Sequence, residues 1–201
     1  MDRRIARLEF SKTGDIRFIS HLDTMSLFER ALKRAKVPLW YSEGFNPHPK
    51  LNFALPLSVG TESLRELCDV SVEGDPPGEC FERLKSEFPA GISLNSVTLD
   101  PQKKFADIRF CSYELTFPGG AGRENELAAL LKSPLEVSKR SKKGEISLPV
   151  APLIEETRLC PEGGDLVARL LVCAGGERGY LNPELILKAL ASTSAADIAA
   201  E

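Results

Sequence analysis

The stretch DIRFISHLDTMSLFERALKRAKVPLWYSEGFNPHPKLNFALPL, residues 15–57, carries both histidines of the chain, His21 and His48. Ile16 and Phe18, with Arg17 and Ile19 beside them, predict a strand that continues or partners the segment RRIARLEF at 3–10. In that strand Arg17 points away from the face of Ile16 and Phe18. Ser20 is a good N-cap, and Asp23 three residues on approximates a capping box. Met25, Phe28, Leu32 and Ala35 recur at three- and four-residue steps, which predicts one apolar helix stripe over 21–36. Arg30, Lys33, Arg34 and Lys36 crowd its C-terminal half, where they favour the helix dipole, and Pro38 is read as the stop.

Leu39 to Tyr41 reads as a short strand. The loop that follows, Gly44-Phe45-Asn46-Pro47-His48-Pro49-Lys50, has prolines on both sides of His48. They fix φ and bias Asn46 and His48 toward extended geometry, so the side chains are held out at low entropic cost. Leu51 to Leu57 predicts a strand that ends or lies on an edge at Pro56.

Outward from this block the pattern is regular. Leu67 to Val72 alternates as a strand, Gly74 to Gly78 opens a helix carrying Phe81, Leu84 and Phe88, and Ile92 to Leu99 closes the half. The expected fold class is α+β: a ferredoxin-like β-α-β-β-α-β sandwich over 1–100. A linker at 101–107 and a second, smaller, partly similar α+β unit over 108–201 follow. That unit has strands near 108–117, 135–139, 145–150, 153–160 and 166–173, and helices at 124–132 and 183–191. The last residues, SAADIAAE, read as a frayed tail.

Composition sets bounds. A length of 201 residues suits one good core or two small ones. Hydrophobic residues make up 42% and charged residues 27%, which is ordinary for a globular protein. No apolar run reaches the ~18 residues of a spanning helix, and the N-terminus lacks a signal-peptide core; no membrane association and a cytoplasmic location are expected. The five cysteines include no CxxC pair, which argues for reduced thiols rather than a zinc or iron–sulfur site. Net charge is −3, yet residues 1–60 carry +4 and the remainder −7. That asymmetry allows a local basic face, or a docking device between proteins.

Several chemistries can be weighed. His21 and His48 with Asp23 or Glu43 supply the residue types of a metal site, but His21 and Asp23 diverge at a helix start, and no metal or cofactor is expected. The same histidines with Lys50 are candidates for acid–base catalysis. Gly119-Gly120-Ala121-Gly122 lacks the Gly-Lys-Ser/Thr ending of a phosphate loop and reads as a turn. Lys139, Arg140, Lys142 and Lys143 form a basic hairpin tip, either solvated or a second phosphate contact.

Residues 17–63 resemble the bacterial family of uncharacterised radical SAM-linked proteins, small domains encoded beside or fused to a radical SAM protein. The resemblance rests on Ser20, His21, Asp23, Glu29, Arg30, Ala31, Arg34, Ala35, the run Gly44 to Pro49, Gly60 and Glu62. It implies a radical SAM partner and, from the family's gene company, an RNA or ribosome connection. The chain has no CxxxCxxC cluster of its own, so the resemblance implies an accessory role. The order of elements is also similar to repeat-associated RNA-binding proteins that process CRISPR transcripts, although Gly175-Gly176 lacks the basic run of their glycine-rich loop.

The leading expectation is therefore an accessory module that presents tRNA or rRNA to a radical SAM partner. Arg17, His21, Arg30, Arg34, Tyr41, Phe45, Asn46, His48 and Lys50 would line its site. The alternatives are a metal-independent ribonuclease or RNA modifier using His21 and His48, and a protein-docking adaptor.

Overall fold

A computed structural model describes residues 2–141, 144–175 and 179–193; the side chains of 139–146 lie outside the described set. The chain divides into two compact units, Met1–Lys104 and Phe105–Glu201.

The first unit grows from β1, Arg3–Lys12. Its residues alternate, so Ala6, Leu8, Phe10 and Lys12 share one face, and all four are buried. The strand is central: it pairs antiparallel with β3 (Ser63–Glu73) on one side and β4 (Ile92–Leu99) on the other. A short edge strand, β2 (Leu51–Phe53), completes a sheet of order β2-β3-β1-β4. Helix α1 (His21–Arg34) lies between β1 and β2 in the chain, and α2 (Gly78–Glu87) lies between β3 and β4. Both cover the sheet's inner face, with Phe28, Leu32, Phe81 and Leu84 in one core with Leu8, Phe10, Val70 and Val72.

The opposite face is held by charge. Arg7 stands directly across from Asp69 in register and meets both carboxylate oxygens, at 2.7 and 2.8 Å. A third Arg7 nitrogen donates to the carbonyl of Lys103 at 2.8 Å, which fastens residues 101–104 to this unit. The side chains of Arg7 and Asp69 are only 13% and 17% exposed, so the fork is better shielded than an ordinary surface ion pair.

Several local expectations are corrected. Residues 14–18 form a 3₁₀ turn, Gly14–Phe18, rather than a strand. Gly14 at φ +67° breaks the extension, and Phe18 is 58% exposed instead of facing the core with Ile16. Leu39 to Tyr41 makes only isolated bridges, to Val72 and Pro49. The predicted 51–57 strand stops at Phe53. The buried stripe of α1 is Thr24, Phe28, Ala31 and Leu32, with Ala35 following and Met25 only half-buried.

The end of α1 also differs. Lys36 adopts φ +57°, the left-handed conformation usually left to glycine. The N–H of Val37 returns to the Leu32 carbonyl and that of Lys36 to the Lys33 carbonyl, each at 3.1 Å, a Schellman closure with Leu32 and Val37 both buried. The helix is therefore terminated before Pro38 has any part in it.

The second unit pairs β5 (Phe110–Phe117), β9 (Asp165–Cys173) and β8 (Ile154–Glu162) in the order β5-β9-β8. A separate hairpin joins β6 (Glu136–Ser141) and β7 (Gly144–Pro149). Helices α3 (Glu124–Lys132) and α4 (Pro183–Ala191) bury Leu127, Leu131, Ile186 and Leu190 against Leu166, Leu170 and Val172. Its described strands thus form two sheets where the first unit has one. The glycine turn at 119–122 is satisfied internally, since Gly119 N–H donates to Asp165 and Gly122 N–H to Glu124.

Because Lys36 pays a left-handed penalty that glycine avoids, Lys36→Gly is expected to raise unfolding stability by about 0.5–1 kcal/mol, read by urea denaturation.

Candidate functional site

Two groups of side chains emerge in the first unit. The first is the tip of the 39–50 segment. Trp40 donates its N–H to the Ser71 carbonyl and accepts from Lys50, so the arms of the loop are anchored beside β3. Ser42 N–H donates to the His48 carbonyl at 2.9 Å, and the Ser42 hydroxyl accepts from the His48 N–H at 3.1 Å. His48 Nδ1 lies 3.2 Å from that hydroxyl and 3.3 Å from the Asn46 carbonyl. A carbonyl can only accept, so this contact calls for Nδ1–H, and in the neutral ring with that proton Nε2 is the acceptor. Gly44 at φ +122° makes the turn. Pro49 is buried, while Phe45, Asn46, His48 and Lys50 are exposed, Phe45 completely. Lys33 of α1 sits 6.0 Å from the ring of Tyr41.

The second group surrounds a hollow at the start of α1, about 280 Å³ when the solvent at its mouth is included. Its polar lining is Lys12, His21, Thr24 and Glu66, and its apolar walls include Phe10, Phe53 and Leu57. Ser20 caps the helix, its hydroxyl accepting from Asp23 N–H at 3.1 Å and donating to the Asp23 carboxylate at 2.6 Å. That cap fixes His21 at the first turn, where it stands edge-on to Phe53 at 5.3 Å. Lys12 is 3% exposed, and its ammonium donates to the Ile19 carbonyl at 3.1 Å. Burial pushes the Lys12 pKa down, partly opposed by the attraction of Glu66. Burial pushes the Glu66 carboxyl up, opposed only in part by nearby Ser63 and by the charge of Lys12.

The residues read from sequence are thus distributed unevenly. Tyr41, Phe45, Asn46, His48 and Lys50 belong to the loop. His21 belongs to the hollow, which His48 does not line. Arg17 is paired with Glu62 at 2.7 Å, and Arg34 turns to α2, meeting the Glu87 carboxylate at 2.6 Å and its carbonyl at 2.8 Å. Arg30 is exposed and donates to Ser26 of its own helix. The loop is approached by Lys33 rather than by Arg34. The basic tip near 139–143 lies, in its side chains, outside the described residues.

Lys12 and Glu66 were missed, although a signal was present. Lys12 extends the inward row Ala6, Leu8, Phe10, and Glu66 begins the inward row Cys68, Val70, Val72. Period-two counting places two ionisable residues on the core face, at the same end of neighbouring strands.

Among the described residues no group of three His, Cys, Asp or Glu could hold a metal ion. None of their helices is long and apolar enough to cross a membrane. Cys68, Cys80 and Cys173 are buried, and Cys111 and Cys160 are half-buried.

Fold and site together define an α+β protein of two units, with an exposed aromatic loop tip and a hollow lined by buried Lys12 and half-buried Glu66 in the first. The chain belongs to the family of uncharacterized proteins conserved in bacteria, DUF2344, whose model matches residues 5–183. Comparison with curated proteins found no match. Among solved structures, the chain is similar to an unknown protein from Galdieria sulphuraria at 13% identity and a TM-score of 0.32, over 86% of this chain and 81% of that one.

Two outcomes are expected. Replacing the two together, Lys12→Met with Glu66→Gln, should leave thermal stability equal to the wild type or raise it by up to a few kcal/mol, because a buried lysine and a half-buried glutamate that are not in ion-pair contact recover little of their desolvation cost from each other. Either substitution alone should lower the melting temperature. The second concerns Glu62, whose carboxylate accepts from Gly14 N–H at 2.8 Å and from Arg17, which holds it below its usual 4.5. A depressed carboxylate lends its support above pH 4.5 and loses it as pH falls through the lower folded value. The protection of the Gly14 amide against exchange, relative to its intrinsic rate at each pH, should therefore fall below that pH in the wild type and stay constant with pH in Glu62→Gln.

Proposed function

We propose that this protein is an accessory RNA-binding module of the cytoplasm, which presents tRNA or rRNA to a radical SAM partner protein through a ferredoxin-like first unit. The observation that carries this reading is Phe45, a fully exposed aromatic at the tip of a loop that is otherwise tightly closed. Water solvates such a ring poorly, and a single-stranded base gives it a face to stack on, worth about 1–3 kcal/mol. Asn46 and His48, exposed in the same loop, are groups able to read a base edge. Lys33 and Lys50 supply cations for the phosphates.

Ion pairing refines the binding set. Arg17 and Arg34 are engaged by Glu62 and Glu87, so a phosphate would have to compete with a carboxylate at each. Lys50 has no such partner among the described ion pairs, and Lys33 is only 4.0 Å from Glu29 across one helix turn. The electrostatic contribution is accordingly assigned to the lysines. The radical SAM partner is supported by the resemblance of residues 17–63 and by no contact within the chain. The two-histidine nuclease reading is less well served, since His21 faces the hollow and His48 the loop.

The test is retention of a fluorescent single-stranded RNA by the full chain, followed by anisotropy. Phe45→Ala should weaken binding about tenfold with an unchanged salt slope, whereas Lys50→Glu should reduce the slope by about one. A wild-type chain that retains no RNA at low salt refutes the proposal.

A further inference from the structure

We infer that the hollow bounded by Lys12, His21 and Glu66 receives the hydrogen-bonding edge of a nucleobase turned out of a single strand, guanine being the base its groups fit best. This deepens the RNA reading and rests on it.

The chemistry of the lining selects the ligand. Lys12 and Glu66 carry opposite charge as ions and none when neutral, so the pair contributes no net charge in either state. A phosphate would meet the Glu66 carboxylate, and a metal cation would meet the Lys12 ammonium; each is disfavoured by one member. A neutral group with a donor beside an acceptor satisfies both. Only one of the three ammonium N–H bonds of Lys12 is spoken for, by the Ile19 carbonyl at 3.1 Å. Glu66 lines the same hollow half-buried, and its carboxyl has two oxygens able to accept. Guanine offers N1–H and N2–H to a carboxylate and O6 to an ammonium.

Size and walls agree with an edge rather than a whole ring entering. The hollow is about 280 Å³ with the solvent at its opening included, and the space within it that is closed to all but water is about that of one water molecule. There Phe53 and Leu57 form an apolar wall, and His21 stands at 87° to the Phe53 ring. A base inserted edge-first would leave its faces against those side chains. Stability does not account for the pair: two apolar residues would fill the end of the core at lower desolvation cost.

The experiment titrates the full chain with guanosine, cytidine, adenosine and uridine while following the imidazole resonances of His21, assigned with His21→Gln. Guanosine should give a saturable shift with the lowest Kd of the four, and Glu66→Gln should weaken it at least tenfold while leaving the loop-dependent binding of a uridine-only RNA intact. No saturable shift at His21 with any nucleoside at millimolar concentration overturns the inference, as does an equal response to all four. If Phe45→Ala abolishes RNA retention while Glu66→Gln changes neither base preference nor affinity, the hollow fails and the RNA reading stands. If guanosine binds in a Glu66-dependent way and no RNA is retained, the nucleobase site stands and the RNA-presenting role falls.

Discussion

Phe28 against Phe10, ring centroids 4.7 Å apart, is the contact on which the first unit depends. Phe28 also meets Phe88 at 4.7 Å and Phe53 at 5.2 Å, so one α1 side chain touches the central strand, the edge strand and the residue that ends α2. Each aromatic pair adds about 0.5–1.5 kcal/mol beyond simple burial. More important is position: with Phe28 held in this cluster, the start of α1 cannot slide along the sheet. His21 lies seven residues earlier, on the same side of the helix by its 3.6-residue period, and its edge contact with Phe53 follows.

The same constraint explains why a lysine is tolerated inside. β1 must present every second residue to the helices, and at Lys12 the helical cover has run out, because α1 begins only at His21. The ammonium finds the Ile19 carbonyl, supplied by the 3₁₀ turn that brings the chain from β1 to α1. Had residues 16–19 continued as a strand, Ile19 would be paired within a ladder and Lys12 left with Glu66 alone. The turn is thus part of the hollow's construction. Its own anchorage comes from Gly60 N–H to the Arg17 carbonyl at 2.9 Å and from Glu62, both on the segment leading into β3.

Much of this was legible from residues alone. The capped helix, the two strand–helix alternations and the hairpin of β8 and β9 all follow from spacing and turn chemistry. What escaped has identifiable physical causes. The 14–18 segment has strand-like composition, but Gly14 takes a left-handed φ and the following residues close on one another, an outcome that local propensity does not encode. Lys36 at a left-handed C′ position is invisible to a rule that looks for glycine there. The cationic face of α1 was read as one surface because sequence gives charge without partners. Glu87 is 53 residues from Arg34 in the chain, and only the packing of α2 beside α1 turns that arginine away from the loop.

The distribution of charge then separates the two candidate sites by mechanism. At the loop, cations and an aromatic ring are exposed, so contacts there are made in high dielectric, are weakened by salt and select little. In the hollow, Lys12 is buried and Glu66 half-buried, and an unsatisfied donor or acceptor on a wrong ligand would cost about 1–3 kcal/mol. If the chain binds RNA as proposed, discrimination would belong to the hollow and capture to the loop. A strand held first by Phe45 and the lysines would bring its bases to α1 at raised local concentration, so even a weak edge contact could choose among them. Both places, the loop closed by the Ser42–His48 hydrogen bonds and the hollow beside the Phe28 cluster, lie in the same compact unit.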